Sequence, residues 1–272
     1  MIKAIVFDLD GTIWEENNIV HGAVELINQL NSNGIPYAFL TNTTSHTPRY
    51  LSSKAKALGI QAYEDQIFTA VSHLELAIEK IDTDDTLFVV TGEDSVLFQQ
   101  IAATGVSAID LDTSKGEQLA EFSQHFSKVI LISSFNRNFS YKHISKIFSI
   151  RNTLNEYWVV GNDRCYGAKG KKLIAASWIT AAIEEVVSLN HKPFGKPNGE
   201  TVKIVAESLG VKVEEVLLVG DSEYSDIGAA SNAGALSCLV SSNSSIETKA
   251  TYVVESLDKV VQIILDKVVQ II

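Results

Sequence analysis

Asp8 and Asp10 stand one residue apart at the end of an apolar run, KAIVFD over 3–8, and Gly11 and Thr12 follow at once. Two carboxylates this close repel each other, and a strand that merely had to stop could do so with Asn or Ser. A second acidic pair, Asp221 and Asp226, follows the late apolar run VLLVGD over 216–221. Between the two pairs, Thr41 and Asn42 end the run PYAFLTN, and Lys196 stands in KPFGKP. Gathered at one place, these residues would set three or four carboxylates around one ammonium and two small hydrogen-bonding side chains. Such carboxylates cannot all stay ionised unless a cation joins them. An oxygen-only donor set selects Mg²⁺ rather than zinc. Thr41, Asn42 and Lys196 offer donors that suit a tetrahedral oxyanion such as phosphate. Anion, divalent cation and free carboxylate together point to phosphoryl transfer through an aspartyl-phosphate.

The elements that must position these groups read as alternating strands and helices. KAIVFD is continuous in its apolar residues, the mark of a strand buried on both faces. AVELINQLNSNG follows as an amphipathic helix stopped by Gly34, then PYAFLTN as a strand and TPRYLSSKAKALG as a helix ending at Gly59. Strand, helix, strand, helix with short links means a parallel sheet covered on both faces. The rhythm returns with TVKIVAESLG as a helix, VLLVGD as a strand, DIGAASNAG as a short helix, and ALSCLVSS and TYVVESL as strands. The expected fold is therefore α/β, a doubly wound parallel-sheet core, in which ligands sit beyond the carboxyl ends of the strands.

A block between the two halves has its own strands, TLFVVTG, KVILISS and EYWVVGN, and helices over 140–150 and 173–187. Ser140 is placed to cap the first of these helices. The block reads as a second α/β unit inserted in the first, which divides the chain into a core of 1–71 and 191–272 and an insertion of 72–190. At the C-terminus LDKVVQII (257–264) is repeated without change at 265–272. The first copy reads as a terminal helix packed on the sheet; the second is surplus to that role and is a candidate contact with another subunit.

The 272 residues, 46% apolar, suit one large domain or two smaller ones. A formal charge of -11 argues against a nucleic-acid or anionic-membrane partner held by general electrostatics. No apolar window is long enough for a spanning helix. Only Lys3 precedes the first strand and no small-residue cleavage site follows, so no signal peptide is expected and the location expected is cytoplasmic. Cys165 and Cys238 lack a C-x-x-C spacing and are read as two buried free thiols. The six histidines form no metal-binding pair.

DLDGT, LTN, the Lys of GKP and GDSEYSDIGAA, in that order, resemble the four motifs of haloacid dehalogenase-superfamily phosphatases. The insertion resembles the α/β cap of the branch that contains p-nitrophenyl phosphatases and NagD. The resemblance spans nearly the whole chain and implies a role for each position. Asp8 would be the nucleophile and a Mg²⁺ ligand. Asp10 would be the acid/base, with its backbone carbonyl on the metal. Thr41 and Asn42 would hold the phosphoryl oxygens, Lys196 would neutralise nucleophile and phosphate, and Asp221 and Asp226 would complete the metal site. The implied substrate is a small phosphorylated metabolite, because an inserted cap excludes water and bulky substrates. A homo-oligomer is an expectation by analogy alone.

The chain departs from the family pattern in reading TNT at the second motif and His21-Gly22 where Pro-Gly is usual. The cap stretch VVGNDRCYGAKGKKL keeps Asn162 and Asp163 but is unusually basic at Lys169, Lys171 and Lys172, lysines read here as a solvated loop. Trp14 and Trp158 are read as packing residues. A phosphotransferase or mutase would use the same groups with a different acceptor. A non-catalytic phospho-ligand sensor, or a receiver-type signalling domain, shares the acidic cluster, Thr and Lys; receivers are shorter and lack an acid two residues past the phosphorylated Asp.

Overall fold

The computed structural model of the chain describes residues 1–168, 171–243 and 247–268, with side chains described up to Ile263 in the last helix. Among the described residues, six parallel strands form one sheet in the order Tyr252–Val254, Leu236–Val240, Val216–Gly220, Ala4–Phe7, Tyr37–Thr41, Ile67–Thr69. Residues alternate between its two faces. Ile5, Phe7, Phe39, Leu217 and Val219 pack with Leu26, Ile27, Leu51 and Leu257. Val6, Ala38, Leu40, Val216 and Leu218 pack on the other side with Val202, Val205 and Ala229. This double burial explains why these strands are apolar at every position rather than at every second one.

The inserted unit has a parallel sheet of its own, ordered His191–Phe194, Glu156–Val160, Lys128–Ser133, Thr86–Thr91, Ala108–Asp110. It too is covered on both faces. Leu87, Leu131 and Val159 meet Ile147, Ile179 and Ile183 on one side. Phe88, Ile130 and Trp158 meet Leu74, Leu97 and Ile101 on the other. Ser140 caps the helix Tyr141–Ile150 through a reciprocal capping box with His143, so the expected start of that helix is the observed one.

Four expectations are corrected. The division at 190 falls too early, because His191–Phe194 is an edge strand of the inserted sheet, paired with Glu156–Val160. Phe194 is drawn there by rings, at 5.1 Å from Trp158 and 5.0 Å from His73. The helix expected over 173–187 begins only at Ser177, since Lys171–Ile174 pairs antiparallel with Cys165–Ala168 as a hairpin. The helix over DIGAASNAG is preceded by a π turn, Glu223–Ile227, and runs Gly228–Ala233. Cys238 is buried but Cys165 is exposed, because it lies on that hairpin rather than in a core.

The C-terminal helix runs Leu257–Val268. Leu257 and Val260 are buried in the first core, with Val261 and Ile263 packed against it, as read for the first copy of the repeat. The side chains of the second copy, 265–272, lie outside the described residues. Among the described residues no helix is long and apolar enough to cross a membrane.

Candidate active site

The carboxyl edge of the first sheet gathers the acidic residues. Asp8 follows Ala4–Phe7, and its N–H bonds the Val219 carbonyl at 2.9 Å, which keeps it level with the end of the neighbouring strand. Asp221 follows Val216–Gly220, and the π turn Glu223–Ile227 carries Asp226 back against the same edge. π turns of this kind recur at functional sites, where one extra residue redirects a side chain. Ser222 caps the turn by accepting from the Ser225 N–H, and its own N–H donates to Asp226 Oδ2 at 3.0 Å. One carboxylate oxygen from each of Asp8, Asp221 and Asp226 lies within 4.8 Å of the others.

Lys196 enters from the junction that follows the edge strand of the inserted sheet. It is 2% exposed, and its ammonium donates to Asp8 Oδ1 at 2.5 Å and to Asp226 Oδ1 at 2.6 Å. Burial alone would push its pKa down, but the charges of Asp226 and Asp8 hold it well above the usual lysine range. The cation therefore stays charged throughout any working pH. Burial raises the Asp8 carboxyl well above the ordinary range; Lys196 opposes that shift, while Asp226 and Asp221 add to it. Asp221 is exposed at the rim, yet lost hydration and then the Asp226 charge push its pKa up to about 6. Three carboxylates against one ammonium leave an excess of negative charge, which a hard divalent cation on oxygen donors would neutralise.

Gly11 is required here twice over. Its φ is +97°, and a Cβ at that position would lie 2.7 Å from Asp221 Oδ2. The turn after Asp10 and the approach of Asp221 both exclude a side chain.

Asp10 stands apart from the three-carboxylate group. Its side chain is exposed, and its Oδ1 accepts the indole N–H of Trp14 at 2.8 Å. Trp14 is completely buried, so the ring is a packing residue as read, but its N–H also fixes the acid. Thr41 is 2% exposed at the end of its strand, and its Oγ1 accepts the Thr43 N–H at 3.2 Å.

Asn42 is differently employed from the expectation of a phosphate donor. Its Oδ1 accepts the Lys196 N–H at 2.7 Å, and its Nδ2 donates to the Lys196 carbonyl at 2.8 Å and to both Asp163 oxygens at 3.1 Å. Asp163 belongs to the insertion, just past Glu156–Val160, and burial followed by Asp226 and Asp221 pushes its carboxyl up to about 6, against the pull of Lys196 and the Asn42 bond. A Cβ on Gly195 would sit 2.6 Å from Asn42 Oδ1, so this clasp also demands a glycine before Lys196. Asp163, Trp14 and Gly195 are the residues that motif reading missed in this role. Asp163 was visible as a family match, whereas nothing local marks Trp14.

Comparison with known proteins agrees with this geometry. Residues 5–106 match the family described as haloacid dehalogenase-like hydrolase, and residues 193–266 match the related HAD-hydrolase-like description. The two segments carry Asp8, Asp10, Thr41, Asn42, Lys196, Asp221 and Asp226, and the first runs on into the inserted unit. The chain belongs to the haloacid dehalogenase-like hydrolases. It is 26% identical over 258 residues to the 5'-nucleotidase YutF of Bacillus subtilis, covering 94% of this chain and 93% of that protein. A hypothetical protein of Pyrococcus horikoshii has the same fold, with a TM-score of 0.80 and 26% identity over 97% of this chain and all of that one. NagD of E. coli, at 20% identity, shares the fold with a TM-score of 0.76 over 95% of this chain and 98% of its own. The fold is thus that of the capped, NagD-like branch of this hydrolase family.

Proposed function

We propose that the protein is a Mg²⁺-dependent phosphatase that hydrolyses a small phosphate monoester through an aspartyl-phosphate on Asp8. The single observation that carries the reading is the buried Lys196 ammonium held between Asp8 and Asp226, with Asp221 beside them. A site built only for stability would not gather three carboxylates around a single ammonium.

Asp8, Asp221 and Asp226 would hold the metal, whose donor set is hard oxygen throughout. When bound, Mg²⁺ would supply positive charge against the phosphoryl oxygens. The remaining chemistry belongs to the chain. Lys196 opposes the burial that raises the Asp8 carboxyl, favouring its ionised form for attack on phosphorus, and meets the incoming negative charge. Asp10, outside the cluster, protonates the leaving oxygen and then takes the proton of the water that cleaves the acyl-phosphate. Trp14 orients Asp10 for both transfers. Thr41 stands at the adjacent strand end to bind a phosphoryl oxygen. Asn42 acts through Lys196 and Asp163 rather than on the substrate. The cap covers the rim, which favours small substrates over macromolecular ones.

The test is turnover of p-nitrophenyl phosphate with Mg²⁺ by the wild type and by Asp8→Asn. Loss of at least a thousandfold in kcat on substitution is expected. Equal rates for the two proteins, or activity indifferent to chelation of the metal, would overturn the reading.

A further inference from the structure

The π turn Glu223–Ile227 that delivers Asp226 is weakly held from within. The Asp226 and Ile227 N–H groups share a single acceptor, the Ser222 carbonyl, at 3.0 Å and 3.2 Å. The carboxylate it carries nevertheless sits in a tight place. A Cβ on Gly220 would lie 2.2 Å from Asp226 Cγ, and Asp226 Oδ1 accepts the Lys196 ammonium at 2.6 Å. Contacts from outside hold the turn. The inserted unit covers Tyr224, with the Arg164 guanidinium 4.3 Å over its ring. The other contact is made by Glu223, which is half-buried and stands outside the carboxylate cluster. Its Oε1 accepts the Lys249 N–H at 3.0 Å, and its Oε2 accepts the Thr248 hydroxyl. Thr248 Oγ1 in turn accepts the Ala250 N–H at 2.9 Å, and Ser237 and Thr251 exchange two bonds of 3.1 Å. The stretch 248–251 is thus fastened at one end to the core strand Leu236–Val240 and at the other to the π turn. A neutral acceptor at position 223 would avoid a further negative charge beside an acidic cluster. The carboxylate makes the stronger, charge-assisted bonds.

We infer that Glu223 is a positioning residue for the metal site: tied to Thr248 and Lys249, it fixes the π turn, holds the Asp226 carboxylate in place and so sets how tightly the site binds a divalent cation. The inference rests on the metal-binding part of the phosphatase reading and adds to it a residue that touches neither metal nor substrate. Contacts that support a ligating carboxylate change metal affinity by about ten- to a hundredfold. Glu223 acts through the turn rather than on Asp226 directly, so the low end of that range applies.

The experiment is calorimetric titration of the metal-free full chain with Mg²⁺, for the wild type, Glu223→Ala, Thr248→Val and the double variant. Glu223→Ala is expected to raise the Mg²⁺ Kd roughly tenfold, and the Mg²⁺ concentration for half-maximal turnover of p-nitrophenyl phosphate by the same factor. Thr248→Val leaves the sequence of the π turn intact and is expected to raise the Kd about threefold. The double variant should bind as Glu223→Ala does, because both side chains act through one contact. Should Glu223→Ala not fold, Thr248→Val decides alone. An unchanged Kd in either folded single variant, or losses that multiply in the double variant, overturns the inference and leaves the phosphatase reading standing. A wild type that neither binds Mg²⁺ nor turns over p-nitrophenyl phosphate overturns both.

Discussion

In the proposed mechanism, the division of labour between Asp8 and Asp10 would come from their surroundings, since the two share one side-chain chemistry. Asp8 is buried against an ammonium, and Asp10 is exposed and tied to an indole N–H. An acid/base at Asp10 would have to be aimed at the leaving oxygen, and the Trp14 indole N–H would supply the aim. Its ring is held in turn by the core and by the Lys54 ammonium, 4.5 Å over the ring. Trp14→Phe keeps most of the packing and removes the hydrogen bond. Its effect should depend on the leaving group. An alkyl phosphate, whose poor leaving group needs a proton, should lose about tenfold in kcat, and p-nitrophenyl phosphate much less. Equal losses for the two substrates would show that Trp14 acts on something other than proton transfer.

Among the elements, the junction around Gly195 does the most positioning. It lies between the edge strand His191–Phe194 of the cap and the core helix Gly199–Ser208, and it is held from both sides. Asn42 takes the Lys196 N–H, while His73, on the helix Ala70–Ile78, faces the Gly195 N–H at 3.3 Å and the Thr201 hydroxyl at 3.0 Å through Nδ1. Accepting from a backbone N–H requires a neutral ring at that nitrogen. Burial pushes the His73 pKa down to about 4, with Lys192 and Lys80 assisting and Glu200 opposing. A base whose folded pKa lies below its unfolded value, about 6.5, contributes stability above pH 6.5 and loses it as pH falls toward 4. The full loss from this residue is on the order of 3 kcal/mol. His73→Asn keeps an acceptor and does not titrate. The stability gap between wild type and variant in urea unfolding should therefore narrow from pH 7 to pH 4.5; a constant gap would rule out this linkage.

At the level of the whole molecule, cap and core meet at the clasp of Asn42 and Asp163. Asn42→Ala would leave the Asp163 carboxylate and the Lys196 backbone without their partner. A cost of about 2 kcal/mol in unfolding free energy is expected. A loss of kcat larger than any rise in KM should accompany it, because the substitution loosens Lys196 without touching the substrate. Chemical denaturation and steady-state kinetics on the same preparation would check both, and unaltered kinetics would make the clasp purely structural.

Much of this architecture could be read from the chain. The strands carrying Asp8, Thr41 and Asp221 are continuous apolar runs, and the helices between them show the 3.6-residue period. The helix Ala70–Ile78 and the strands Ile67–Thr69, Ala108–Asp110 and His191–Phe194 went unread. Three or four residues at a sheet edge are too short to display a period, and Pro193 argues against a strand except at an edge. Around the site, residue types and their order were enough to single out the carboxylates and the lysine that come together, because charge crowding follows from composition once the strand ends coincide. Partner choice was beyond reach. Asn42 meets Asp163 across 121 positions and Lys196 across 154, and no local pattern encodes an encounter that the packing of two sheets brings about. Sequence alone determined which chemistry the chain carries, since that depends on residue identity; only the tertiary structure decided which side chains serve it, since hydrogen bonds and fields depend on distance in space.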